Sequence, residues 1–227
     1  MKIEKITVCN LNSIEGEQVV DFTQEPLRSA GLFAITGSTG AGKSTLLDAI
    51  CLALYNRAPR LDDAERLAKD DMTRLTDKAQ QAQAGHVCHM LRRGARQGGA
   101  TVVFATHDGD RYEAAWQMRR TRGGNYATPE RSLRKLAPYK EQVARTDIDS
   151  RIQHAIGLTY EQFTRTVILA QNSFANFLKA PKAEKALLLE KLTGTEVYGR
   201  ISAQIHTLAA EADKEVEKLE TSVKGIL

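Results

Sequence analysis

An α/β fold is what this sequence predicts, on three observations. The first is a continuous apolar run, Leu32-Phe33-Ala34-Ile35, that ends in a glycine-rich stretch, as expected of a strand buried on both faces. The second is the helical spacing of Leu46, Leu47, Ile50 and Leu54 directly after that stretch. The third is a pair of β-rich runs, 100–106 and 111–119, flanking His107-Asp108-Gly109-Asp110. Asp-Gly between two such runs is a strong short-range hairpin signal, and it places Trp116 in the second strand.

The other elements follow in chain order. Ile6 and Val8 alternate with Thr7 and Cys9, and a short run, 18–22, follows the turn around Glu15-Gly16, which predicts an antiparallel pair at the N-terminus. The helix after the glycine-rich stretch is expected to stop near Ala58-Pro59. Residues 61–91 are polar and rich in Gln and Ala, and read as a mostly irregular excursion with one short helix. The stretch 123–139 reads as a polar connection. Helices are expected around 147–156 and 160–170, separated by Gly157, and again from Pro181 through Leu192, where Thr193-Gly194-Thr195 ends the pattern. Ile201, Ile205, Leu208, Ala212, Val216, Leu219, Val223 and Ile226 then repeat at gaps of three or four residues. That heptad-like stripe predicts a helix that starts a coiled coil over 201–227, after a first domain spanning 1–200.

Composition narrows the function classes. With 227 residues, 42% of them hydrophobic, and a net charge of +4, the chain is neither a disordered polyampholyte nor a histone-like polycation. Any nucleic-acid contact must come from a local patch. Three cysteines at irregular spacing exclude a disulfide framework and suit a reducing cytoplasm. No apolar run is long enough to cross a membrane. His86, Cys88 and His89 crowd together but have no downstream partners to complete a tetrahedral metal site.

Gly37-Ser38-Thr39-Gly40-Ala41-Gly42-Lys43-Ser44 matches G-x-x-x-x-G-K-[ST] in full, between an apolar run and a helix, the setting that a phosphate-binding loop requires. The glycines let backbone N–H groups turn toward phosphate oxygens, and the helix N-terminus adds its positive dipole end. Lys43 is expected to reach the β- and γ-phosphates, Ser44 to place its hydroxyl on Mg²⁺, and Thr45 to meet the α-phosphate. Such sites also need an apolar strand ending in carboxylates. Residues 166–170 end in Gln171, and 101–106 are better explained by the hairpin, so this chain supplies half of a nucleotide site.

Taken together these residues resemble the N-terminal ATPase segment of the SbcC family, in the SMC-like branch of ABC-type ATPases. The likeness is carried by residues 31–37 leading into 40–55, by Asp71-Met72-Thr73-Arg74, Phe163-Thr164-Arg165 and Phe174-Ala175-Asn176-Phe177-Leu178, and by 190–196. It implies an ABC-type half-head, the N-terminal lobe, whose coiled coil leads away to a C-terminal lobe of the same protein holding the missing carboxylates. It also implies ATP with Mg²⁺, a second head that completes two shared sites, a SbcD-type nuclease partner and double-stranded DNA. Gln171 falls at the family's Q-loop glutamine, expected to contact Mg²⁺ and the attacking water, although Asn172-Ser173 departs from the usual Gly-Gln that follows. The stripe 201–226 would either dock the nuclease or pair with the returning helix. Two other classes share the loop: a small P-loop kinase, which should carry a lid and an acceptor site, and a non-catalytic nucleotide-dependent interaction module.

Residues 92–135 hold ten basic against four acidic residues. Arg92, Arg93, Arg119, Arg120 and Arg122 lie near glycines that would permit close approach to a phosphate backbone, so this region is expected to face DNA.

Overall fold

The computed structural model describes residues 1–62, 86–168 and 196–224. The chain divides into two units, Met1–Ala170 and Gln171–Leu227. The first is built on a six-stranded sheet in the order β2-β1-β3-β4-β5-β6, every pair antiparallel. Its strands are β1 (Lys2–Cys9), β2 (Glu17–Asp21), β3 (Gln97–Ala105), β4 (Arg111–Arg119), β5 (Glu130–Ala137) and β6 (Glu141–Gln142). Helix α1 (Lys43–Tyr55) packs on one face, and α2 (Ile148–Ile156) and α3 (Tyr160–Thr166) follow the sheet.

Period-two alternation produces the buried face. Ile6 and Val8 of β1, Ala100, Val102 and Phe104 of β3, and Ala114, Trp116 and Met118 of β4 are all buried, with their neighbours in sequence turned the other way. Against this face lies α1, apolar nearly all round from Ala49 to Leu54. A helix wrapped in apolar residues is a central one. The hairpin forms between the two expected runs, with Ala100 opposite Trp116 and Phe104 opposite Tyr112. Gly109 sits at φ 85° in the turn, where Thr106 N–H donates to Asp110 O at 2.8 Å.

Four expectations differ from the structure. Residues 32–35 do not form a strand: Leu32 is 92% exposed, and Phe33 and Ile35 are about half exposed. A strand buried on both faces needs neighbours, and none of the six described strands pairs with this one. Second, β5 runs through what reads as a polar connection. Its inward positions include Lys135, buried by an ion pair to Asp110 at 2.6 Å, so a charged residue in a core position hides the alternation. Third, α1 ends at Tyr55, because Asn56 adopts the left-handed conformation (φ 54°) and its N–H caps Leu52 O, three residues before the proline could act. Fourth, α3 stops at Thr166, short of 170.

In the second unit, α4 (Glu196–Lys224) is a single helix of 29 residues. Ile201, Ile205, Leu208, Val216 and Leu219 of the heptad-like stripe are exposed along it. The excursion expected over 61–91 is described only at its ends, where Leu61 is buried and a short 3₁₀ turn over Val87–Met90 buries Cys88 and Met90. Residues 63–85, the helix expected over 181–192, and Gln171 lie outside the described residues. No described helix is long and apolar enough to cross a membrane.

Candidate nucleotide-binding site

The loop between residue 37 and α1 is shaped by its glycines. Gly42 is the N-cap of α1 at φ 95°, a conformation that L side chains rarely adopt. A Cβ there would also come within 2.9 Å of Ile14 Cγ1, so the turn between β1 and β2 sits directly against the loop. The N-cap offers no side-chain hydrogen bond, and the first turn of α1 carries no acidic residue. The first N–H groups of the helix therefore have no side-chain competitor for an anion.

Lys43 folds back across the loop and donates from Nζ to Gly37 O at 2.7 Å and Ser38 O at 2.8 Å. An ammonium has three donors, and these two bonds leave one to aim at a phosphate. Ser44 is exposed, while Thr45, expected near the α-phosphate, is buried in the first helical turn. A cavity of about 350 Å³, walled in part by Ile14, Val20, Ile35, Gly42 and Lys43, opens beside the loop, within the size range of small-ligand sites. These features fit a nucleoside triphosphate with its divalent cation: glycine-shaped loop, uncapped helix end, a lysine and an accessible hydroxyl. Among the described residues there is no cluster of three or more His, Cys, Asp or Glu that could hold a metal ion.

The predicted arginines do different jobs. Arg92 donates to Asn12 O, Ser13 O and Glu15 Oε2, the last at 2.8 Å, so it clamps the β1–β2 turn that presses on Gly42. Arg120 donates to Gly124 O and to Tyr126 Oη at 2.6 Å, with its guanidinium stacked 4.3 Å from the Tyr126 ring. It thereby fixes the loop that joins β4 to β5. Arg119 lies 3.6 Å from Glu130. Arg93 and Arg122 are exposed, as is Arg96, and none of the three has an ion pair among the described residues. The rest of the basic stretch is largely neutralised, by Arg111 with Glu4, Arg131 with Asp149, Arg134 with Glu113 and Lys135 with Asp110.

Two residues, one in the second turn of α1 and one at its C-cap, were missed by sequence reasoning. Asp48, one turn beyond Ser44, is 3% exposed and accepts from Arg60 Nε at 3.0 Å. Burial pushes its carboxyl above the usual range against the pull of Arg60. Its signal was a lone carboxylate among the apolar residues of α1. Asn56 is the other: it accepts from Trp116 Nε1 at 2.7 Å, and its signal was an Asn where a helix C-cap most often has Gly.

A family model described as an AAA domain matches residues 5–227. The chain is 42% identical over 232 residues to the SbcC component of the SbcCD nuclease of Pseudomonas aeruginosa, an alignment covering 100% of this chain and 19% of the relative. It is 44% identical over 211 residues to the protein of the same name from Rhodobacter capsulatus, covering 91% and 17% respectively. More distantly, it is 25% identical over 228 residues to "DNA double-strand break repair Rad50 ATPase" of Methanopyrus kandleri, covering 99% and 22%. The chain thus spans about a fifth of the length of the curated relatives it matches.

Proposed function

Because this chain belongs to the AAA domain family and is homologous to the SbcC component of the SbcCD nuclease, we propose that it is the ATP-binding lobe of an ATPase that controls a nuclease on double-stranded DNA. The observation that carries this reading is the juxtaposition of a glycine-shaped loop tied by Lys43 with an exposed apolar segment, 32–35, that no described strand pairs with. Large exposed apolar residues in a row mark a surface meant to be covered. The groove beside them, lined by Phe22, Phe33, Ile35, Leu46, Leu47 and Ile50, extends that surface along the first turns of α1. The occupant we assign is the C-terminal lobe of the same protein, which would add strands beside 32–35 and bring the carboxylates that the loop lacks.

In this reading the backbone from Gly37 to Thr45 holds the phosphates, with Ser38, Thr39, Gly40 and Ala41 forming the turn. Lys43 supplies a fixed positive charge to the terminal phosphates. The Ser44 hydroxyl and Gln171 hold Mg²⁺, whose chemistry when bound is to neutralise charge that develops on the phosphate oxygens. Hydrolysis then needs the C-terminal lobe and a second head, so the chain alone is an ATP-binding module with little turnover. The stripe on α4 is assigned to the coiled-coil root and to the docking of a SbcD-type nuclease. The cytoplasm is the compartment where such DNA work and three free cysteines are compatible.

Of the five arginines expected to face DNA, Arg93, Arg119 and Arg122 are the ones not occupied in holding loops, as Arg92 and Arg120 are. Replacing those three with Glu in the assembled protein is expected to weaken MgATP-dependent binding to duplex DNA by more than about tenfold. The slope of log affinity against log salt should also flatten by about two to three, near 0.9 for each phosphate that is no longer neutralised. Filter binding at several salt concentrations measures both quantities. Unchanged affinity and slope would place the DNA surface elsewhere.

A further inference from the structure

The far end of α1 is gripped from two directions. On the sheet side, Trp116 Nε1 donates to Asn56 Oδ1 at 2.7 Å and Arg131 Nη2 donates to Leu54 O at 3.0 Å. Trp116 and Arg131 are directly opposed across β4 and β5, and opposed residues share a face of the sheet. A single rung of the sheet therefore holds the last turn of the helix by its free carbonyl and its cap. On the helical side, Tyr55 Oη donates to Leu158 O at 3.1 Å, and Arg57 pairs with Glu161 at 2.6 Å while its guanidinium lies 4.0 Å over the Tyr160 ring. Arg131 also pairs with Asp149 on α2 at 2.7 Å.

The near end of the same helix is the phosphate loop. Between the two ends, Ala49 to Leu54 are buried without a break, and close-packed interiors transmit displacement rather than absorb it. At a rise of about 1.5 Å per residue, the helix of 13 residues is a rod of about 20 Å. Asn56 has a use that Gly would not serve. Either residue tolerates the left-handed cap, but only Asn offers a side-chain oxygen to the indole.

We infer that the C-terminal end of α1 is the station through which occupancy of the phosphate loop reaches the β4–β5 segment, with Asn56, Trp116 and Arg131 as its positioning residues. The inference rests on the nucleotide-binding reading above and extends it to regulation. Arg119 and Arg122 lie three and six residues beyond Trp116, so a shift of that rung moves the surface assigned to DNA. By linkage, any such effect is reciprocal: whatever binds at β4–β5 alters affinity at the loop.

The test uses the 227-residue chain, in which Trp116 is the single tryptophan and is fully buried, so indole emission reports this rung alone. Titration with MgATP is expected to change the emission with the same midpoint that equilibrium dialysis gives for binding. Asn56→Gly keeps the cap but removes the acceptor; it should still bind MgATP in dialysis while most of the emission response to saturating MgATP is lost. Arg131→Met, which keeps the packed stem, should reduce the response in the same way. A merely structural role would lower the stability of both variants and leave the response intact. Binding without an emission change in the parent chain, or an undiminished response in Asn56→Gly, overturns the coupling and leaves the nucleotide reading standing. Absence of binding in dialysis overturns both.

Discussion

Lys43→Ala is expected to weaken MgATP binding to this chain by about 100-fold or more. A charge-assisted hydrogen bond to phosphate contributes about 1.5–3 kcal/mol, and each 1.4 kcal/mol is about tenfold in affinity. The substitution does more than remove that bond. Nζ also ties Gly37 O and Ser38 O together at 2.7 and 2.8 Å, so without it the start of the loop loses its tie to α1 and must be ordered by the ligand. Lys43→Arg should not rescue binding, because a planar fork cannot reproduce a compact ammonium reaching two carbonyls and a phosphate. Isothermal titration calorimetry with MgATP measures the loss. Affinity within a few-fold of the parent would mean that the nucleotide does not sit on this loop.

Trp116→Ala is expected to cost about 3–5 kcal/mol of folding stability, the usual range for removing a fully buried large aromatic. Single domains are stable by only about 5–15 kcal/mol, so the variant should approach or cross its unfolding threshold at ordinary temperatures. Two causes act together. The indole fills the space between the sheet and α1 with no exposed surface, and its departure leaves Asn56 Oδ1 without its donor at the end of the helix. Trp116→Phe should recover most of the packing but not the hydrogen bond. Urea unfolding followed by circular dichroism separates the three proteins. A loss under about 1 kcal/mol for the alanine variant would contradict the place of Trp116 at the centre of the core.

The parts of this molecule that were legible in its sequence are those where local chemistry alone decides the structure. The hairpin is one: Asp108-Gly109 between two β-rich runs leaves few alternatives, and Gly109 occupies the left-handed conformation the turn needs. The glycine-requiring turn before α1 is another, because Gly42 stands where both its φ of 95° and the proximity of Ile14 disfavour a side chain. Illegible features were those set by distant partners. β5 was hidden because Lys135 takes a core position that its ion pair with Asp110, 25 residues away, makes tolerable. The apolar run 32–35 reads as a strand buried on both faces, but it is exposed and no described strand pairs with it. The arginines read as one basic patch, whereas the fold spends Arg92 and Arg120 on loops and neutralises most of the others with carboxylates that sequence spacing could not pair with them. Asn56 shows a related limit: its place as the left-handed cap of α1 is a local signal, but its side chain matters through Trp116, 60 residues away.

The central claim is that this chain forms one half of a split ATP site, and the most direct test is ATP turnover by the chain alone, by the C-terminal lobe of the same protein alone, and by the two mixed, with and without duplex DNA. Only the mixture is expected to turn over ATP appreciably, and Lys43→Ala in this chain should abolish that activity. Turnover by the chain alone at the rate of the mixture would contradict the claim, and would mean that these residues already contain a complete active site.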